Sequence, residues 1–154
     1  WMMEYPGDEL GNLVLLEEVT AHASSERGGG NPAIHVTDGR MAGGWLSAVD
    51  DPIPSLTLEF KRAIRADRVV LSHRRSQELG RNEFNRATRV ELTIGSKKPI
   101  IYEMDPNPEH KTELVFPKAF RVSKIQIRIL ERESVTQPLG TVGFAEVELR
   151  LGDY

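Results

Sequence analysis

Two stretches of this sequence carry side chains that could do chemistry. The first is Ser72-His73-Arg74-Arg75, followed by Arg81-Asn82-Glu83-Phe84-Asn85-Arg86. It lies between two strand-like runs and reads as a loop. Guanidinium forks, carboxamides, an imidazole and a ring on one loop surface are the groups that bind sugar hydroxyls, carboxylates or sulfates. The plainer alternative is a solvated loop whose arginines pair with Glu78 and Glu83. The second stretch combines Asp38-Gly39 and Trp45 with the distant Ala145-Glu146. Calcium prefers carboxylate and carbonyl oxygens, about six to eight of them. Asp38 and Glu146 offer two carboxylates, but spacing alone does not bring them together. An Asp-Gly turn and a surface glutamate is the other reading.

Catalysis finds little support. Acid–base chemistry needs a positioned pair, and nucleophilic chemistry needs an activated side chain. Asp50-Asp51 precedes Pro52 and Pro54 and reads as a solvated turn. Serine-hydrolase, zinc-protease and phosphate-loop motifs are absent, and Gly28-Gly29-Gly30 reads as a flexible loop. The four histidines, His22, His35, His73 and His110, are widely spaced. With no cysteine, a disulfide scaffold, a thiolate metal site and a cysteine nucleophile are excluded. The sequence therefore reads as a non-enzyme.

The elements that must position these residues read as strands. Ser55 to Phe60, Val90-Leu92-Ile94 and Ile125-Ile127-Ile129 alternate apolar and polar residues with period two. Leu13 to Leu16, Val69 to Leu71, Ile100 to Tyr102 and Leu114 to Phe116 are short apolar runs. In the last strand Phe144, Val147, Leu149 and Leu151 face inward, with Glu146, Glu148 and Arg150 on the other side. Asn31 to Asp38, with Pro32 at its first position, and residues 76–86 could each form a helical turn. About eight strands in one domain predict an all-β sandwich or jelly roll. Residues 1–11 show no period and read as a tail or linker, leaving 12–154 as the domain. At 154 residues, with 39% hydrophobic and 28% charged residues, the chain suits one globular domain. Its net charge of -3 gives no drive toward nucleic acid. No apolar run approaches a membrane span. Because it begins at Trp1, the chain is expected to be part of a longer or processed protein.

Taken in order, Asn12-Leu13, Ala23-Ser24-Ser25, Asn31-Pro32-Ala33, Val36-Thr37-Asp38-Gly39, Trp45, LTLEF, RVVLSHRR, TRVELTIGS, KIQIRI and VGFAEVEL resemble the discoidin domains. These are the coagulation factor V/VIII C-type domains, which share the galactose-binding-like jelly roll with family 32 carbohydrate-binding modules. The resemblance covers Asn12 to Leu151. It implies a β-sandwich of about eight antiparallel strands, with a binding surface on the loops at one end. It implies a non-catalytic, monomeric carbohydrate-binding module of a larger secreted or cell-envelope bacterial protein. The glycan would be acidic or galactose-type, the location extracellular or the cell envelope, and membrane insertion is not expected. By the resemblance, His73, Arg74, Arg75, Arg81, Asn82, Phe84 and Asn85 line the sugar site. It also implies one structural Ca2+ on the side chains of Asp38 and Glu146 and on carbonyls near Val36, in the loop 40–43 and at Ala145. Arg40 and Gly43 depart from the family here, since an acidic residue or Asn is common at the first and Thr or Ser at the second. Trp45 matches a family tryptophan that packs in or beside the core. The alternative function is a protein-interaction or structural module on the same sandwich, docking to a parent catalytic domain or another partner.

Overall fold

A computed structural model describes residues 12–27, 32–39, 44–74, 86–105, 107, 109–133 and 141–152. Among them run seven strands, all paired antiparallel: β1 (Val19–Ala23), β2 (Trp45–Leu46), β3 (Ser55–His73), β4 (Arg86–Ile94), β5 (Ile100–Glu103), β6 (Thr112–Glu133) and β7 (Gly143–Arg150). The strand order is β2-β7-β3-β6-β4-β5, with β1 on β3.

The two long strands make this path a sandwich. The first part of β3 lies between β1 and the second part of β6, which also carries β4 and, beyond it, β5. The second part of β3 lies between the first part of β6 and β7, with β2 outside. Register shifts between Glu59 and Ile64 and between Ala66 and Arg68 mark where the strands bend from one layer into the other. Pro117 falls in the unpaired stretch of β6, the place a strand tolerates a residue with no N–H. The runs at 55–60 and 69–71 are therefore one strand, as are those at 114–116 and 125–129.

Period two explains the core. Leu56, Leu58 and Phe60 of β3 and Ile125, Ile127 and Ile129 of β6 all point inward and are buried. Each such side chain contributes about 1.5–3 kcal/mol by leaving water. Trp45 is fully buried, its ring tilted against Phe144 and its Nε1–H donating to the Ser25 carbonyl at 2.9 Å.

Leu13–Leu16 is a 3-10 turn and not a strand. The Asn12 side-chain oxygen caps it, accepting the N–H of Val14 at 3.1 Å and that of Leu149 at 3.3 Å. The turn predicted after Pro32 is the 3-10 segment Ala33–Thr37. The helical turn expected at 76–86 falls mostly outside the described residues, and Arg86 opens β4. The tail at 1–11 also lies outside them.

The outer face of β7 is the main departure from the alternation. Glu146 and Glu148 are 3% and 0% exposed, because Leu13–Leu16 and Ala33–Thr37 pack over that face. Glu148 is held by Lys111 Nζ at 2.8 Å and by Arg150 Nη2 at 2.5 Å. Among the described residues no helix is long and apolar enough to cross a membrane.

Candidate functional site

The first candidate site stands where β3 ends. His73 is 2% and Arg74 7% exposed. The His73 Nε2 lies 3.0 Å from the Asp105 carbonyl oxygen. A carbonyl only accepts, so Nε2 carries the proton and Nδ1 is left as an acceptor. That Nδ1 is buried with no hydrogen-bond partner among the described residues, as is the neighbouring Ser72 hydroxyl. Burial holds the His73 pKa below its usual value, and the Arg86 charge adds to this against the pull of Asp105. The ring is neutral at physiological pH.

Asp105 is fixed from several sides. Its N–H donates to Thr112 Oγ1 at 2.9 Å, and its carboxylate takes the Asn107 N–H at 2.9 Å and faces His110 Nδ1 at 3.2 Å. The Asn107 N–H, then His110 and His73, hold the Asp105 pKa below its usual value against a smaller effect of burial. Arg86 grips Glu133 through Nε at 2.9 Å and Nη2 at 2.5 Å. This ties the start of β4 to the end of β6 beside His73. Burial lowers the Arg74 pKa, and repulsion from Arg27 lowers it further. The Arg27 charge thus reaches Arg74. Arg75, Arg81, Asn82, Phe84 and Asn85 lie outside the described residues.

The second candidate site is on β7. Asp38 and Glu146, 108 positions apart in the sequence, are hydrogen-bonded through their side chains. Glu146 Oε2 also accepts the Gly39 N–H at 2.9 Å. Its Oε1 is buried without a partner. Burial is the main cause that pushes the Glu146 pKa up to about 9, with the Asp38 and Glu148 charges adding to it against the Gly39 hydrogen bond. Two carboxylates are thus brought together in a place where a hard cation would satisfy both. Val36 and Ala145 are buried beside them. Gly44, at φ +113, passes so close to β7 that a methyl group on it would sit 2.8 Å from the Ala145 carbonyl oxygen. The donor set of carboxylate and carbonyl oxygens fits calcium. No third His, Asp or Glu joins the pair among the described residues, so further ligands would be carbonyls or water. Arg40 and the loop 40–43 lie outside the described residues.

Asp50-Asp51 sits in the turn before β3. Asp51 accepts the hydroxyls of Ser24 and Ser25 at 2.5 Å each and the Ile53 N–H at 3.2 Å, while Asp50 is exposed. It anchors the loop before β3.

This arrangement, two bent strands shared by both layers with loops gathered at their ends, matches solved structures across nearly the whole chain. One is the family 32 carbohydrate-binding module of Clostridium perfringens NanJ in complex with galactose. It is 22% identical at a TM-score of 0.64, with 85% of this chain and 92% of that one covered. The fold is that of the family 32 carbohydrate-binding modules. The discoidin-like jelly roll also aligns with CpGH89CBM32-5 of C. perfringens, in complex with GalNAc-β-1,3-galactose, at 18% identity, TM-score 0.68, and 86% and 94% coverage. CBM32-3 from a family 31 glycoside hydrolase of C. perfringens aligns at 13% identity, TM-score 0.73, and 97% and 100% coverage. No protein-family model matches the chain, and no curated protein does. The jelly roll expected from the ordered motifs is thus present, while sequence identity is too low for the family's site residues to transfer by alignment.

Proposed function

We propose that this domain is a non-catalytic, monomeric carbohydrate-binding module of a larger secreted or cell-envelope protein that acts on glycans, and that it holds one structural calcium ion. The observation that carries the sugar reading is the buried acceptor edge of His73, without a partner among the described residues and next to Arg74, which the Arg27 charge reaches. It lies on a fold whose solved relatives include modules in complex with galactose and GalNAc-β-1,3-galactose. A sugar hydroxyl donates to His73 Nδ1. A carboxylate or sulfate on the glycan lies against the two guanidinium groups, which favours acidic glycans through charge-assisted hydrogen bonds. Arg75, Arg81, Asn82 and Asn85 supply further donors, and Phe84 the stacking ring. The residues do no bond making or breaking; the domain holds its parent enzyme near its substrate.

For calcium, Asp38 and Glu146 supply side-chain oxygens and Val36 and Ala145 carbonyl oxygens. The Glu146 Oε1, buried without a partner among the described residues, and the contact of the two carboxylates support this. When bound, the ion supplies positive charge that ties the Ala33–Thr37 segment to β7.

The test is a glycan array with and without calcium, including sulfated and uronic-acid polymers, followed by calorimetry on any ligand found. Arg74→Ala and Arg27→Ala should each weaken an acidic glycan by roughly tenfold, the loss of one charge-assisted contact. A folded protein that binds no glycan would remove the sugar reading and leave the protein-interaction module.

A further inference from the structure

We propose that the sandwich carries a second binding site, a cavity at its side that takes a small amphipathic anion. The ligand class is an aryl or alkyl body with a carboxylate, sulfonate or phosphate head. The cavity has a volume of about 320 Å³ and opens between the β4–β5 hairpin of one layer and the first part of β6 in the other. Pockets that hold small molecules begin at about 300 Å³.

Its floor belongs to the core. Leu92, Ile94 and Phe120 line it, and they are 1%, 5% and 6% exposed. One wall is Phe116, which stands edge-on to Phe120 at 5.1 Å and to Tyr102 at 6.4 Å between ring centroids. Water in so apolar a hollow would find few hydrogen-bond partners, so an apolar body is the natural occupant.

The rim has the opposite character. Lys97 and Lys98 in the turn after β4, and Lys118 in the bulged part of β6, surround the mouth. None of the three pairs with a carboxylate among the described residues, although the chain as a whole is acidic. Lys97 Nζ instead lies 5.6 Å from the centre of the Phe120 ring. Three ammonium groups around an apolar hollow select a ligand with one anionic end. A neutral sugar would bring hydroxyls onto an apolar floor and no charge to the three ammonium groups. A flat membrane surface would not reach the recessed floor.

This site is separate from the proposed glycan site. Arg86, next to His73, starts β4, while Leu92 and Ile94 end it. Eight residues at about 3.3 Å each put the two ends roughly 26 Å apart.

The test titrates decanoate, kept below its micelle concentration, into the folded protein by calorimetry and by backbone amide NMR. Decanol and decyltrimethylammonium serve as controls for the head, and phosphatidylcholine–phosphatidylglycerol vesicles separate a free amphiphile from a membrane source. We expect saturable one-to-one binding at sub-millimolar Kd, with shifts at residues 92–100 and 116–120. Binding of both controls should be at least roughly tenfold weaker, as should decanoate binding by Lys97→Glu/Lys118→Glu. Ile100→Glu, an exposed rim position on β5, should abolish it without touching the core. The proposal is overturned by no saturable binding at millimolar decanoate, by equal affinity for decanol or the cation, or by shifts elsewhere. It is equally overturned by binding to vesicles alone.

Discussion

Replacing Glu146 with glutamine separates the proposed cation from every other role of that side chain. Glu146 is 3% exposed, accepts the Gly39 N–H at 2.9 Å, and leaves Oε1 without a partner. A carboxamide keeps the acceptor for Gly39 and removes the negative charge buried next to Asp38 and Glu148, so Glu146→Gln should melt no lower than the parent in a chelator. The calcium response should divide the two proteins. Sites on extracellular modules bind calcium with Kd of roughly 0.1–1 mM. At about 5 mM calcium, linkage then adds about 1–2 kcal/mol to the parent's stability. In a domain of this size each kcal/mol moves Tm by about 2–4 °C. The parent should therefore gain about 2–8 °C in calcium over chelator, and Glu146→Gln less than about 1 °C. Differential scanning calorimetry in EDTA and in calcium decides it. Equal shifts in both proteins, or none in the parent, would refute the assignment of the ion to Asp38 and Glu146.

Three further outcomes test the reading of the fold. Gly143→Ala would place a methyl group 1.8 Å from the Trp45 carbonyl oxygen, and should cost more than about 3 kcal/mol in urea unfolding; a loss below about 1 kcal/mol would mean that β2 and β7 can move apart. Burial lowers the His73 pKa in the folded protein, so the unfolded chain takes up the proton first as pH falls below about 6.5, and stability should fall by up to about 1.4 kcal/mol per pH unit until the folded pKa is reached. His73→Gln should remove that part of the slope, and an unchanged slope would show the ring to be solvated. Lys111→Met and Arg150→Met should each cost about 1–3 kcal/mol, because one cation still faces the buried Glu148; the double variant should lose more than the sum in a double-mutant cycle, and simple additivity would show that Glu148 does not need them.

The alternating segments were legible because one face of each is wet. Leu56-Leu58-Phe60 and Ile125-Ile127-Ile129 follow the rule of period two and lie where it puts them. The same rule put Glu146 and Glu148 on the face opposite the core residues, and that face is buried as well. The cover on that face comes from Leu13–Leu16 and Ala33–Thr37, far away in the sequence, and no local pattern announces it. The joined strands were hidden for a related reason, since Pro117 and the charged pair Lys61-Arg62 look like breaks and the chain runs through them by register shifts. Asp38 and Glu146 could be paired only from the ordered motifs, because contact across 108 positions has no spacing signal. His73 looked like a loop donor and is a buried ring turned to the Asp105 carbonyl. The lysine-ringed cavity had no sequence signal beyond scattered Lys and Phe, which only the two facing layers gather.

The Asn12 carboxamide oxygen holds the N–H groups of Val14 and Leu149 at once. The first and last described stretches of the domain therefore meet at one atom. A tether attached at either end pulls from the same corner, so tension across the domain would open this clasp before it loaded the strands in shear. Joined by a short linker, residues 12 and 152 should accept a circular permutation with new ends cut in an exposed turn such as Gly95 to Lys98.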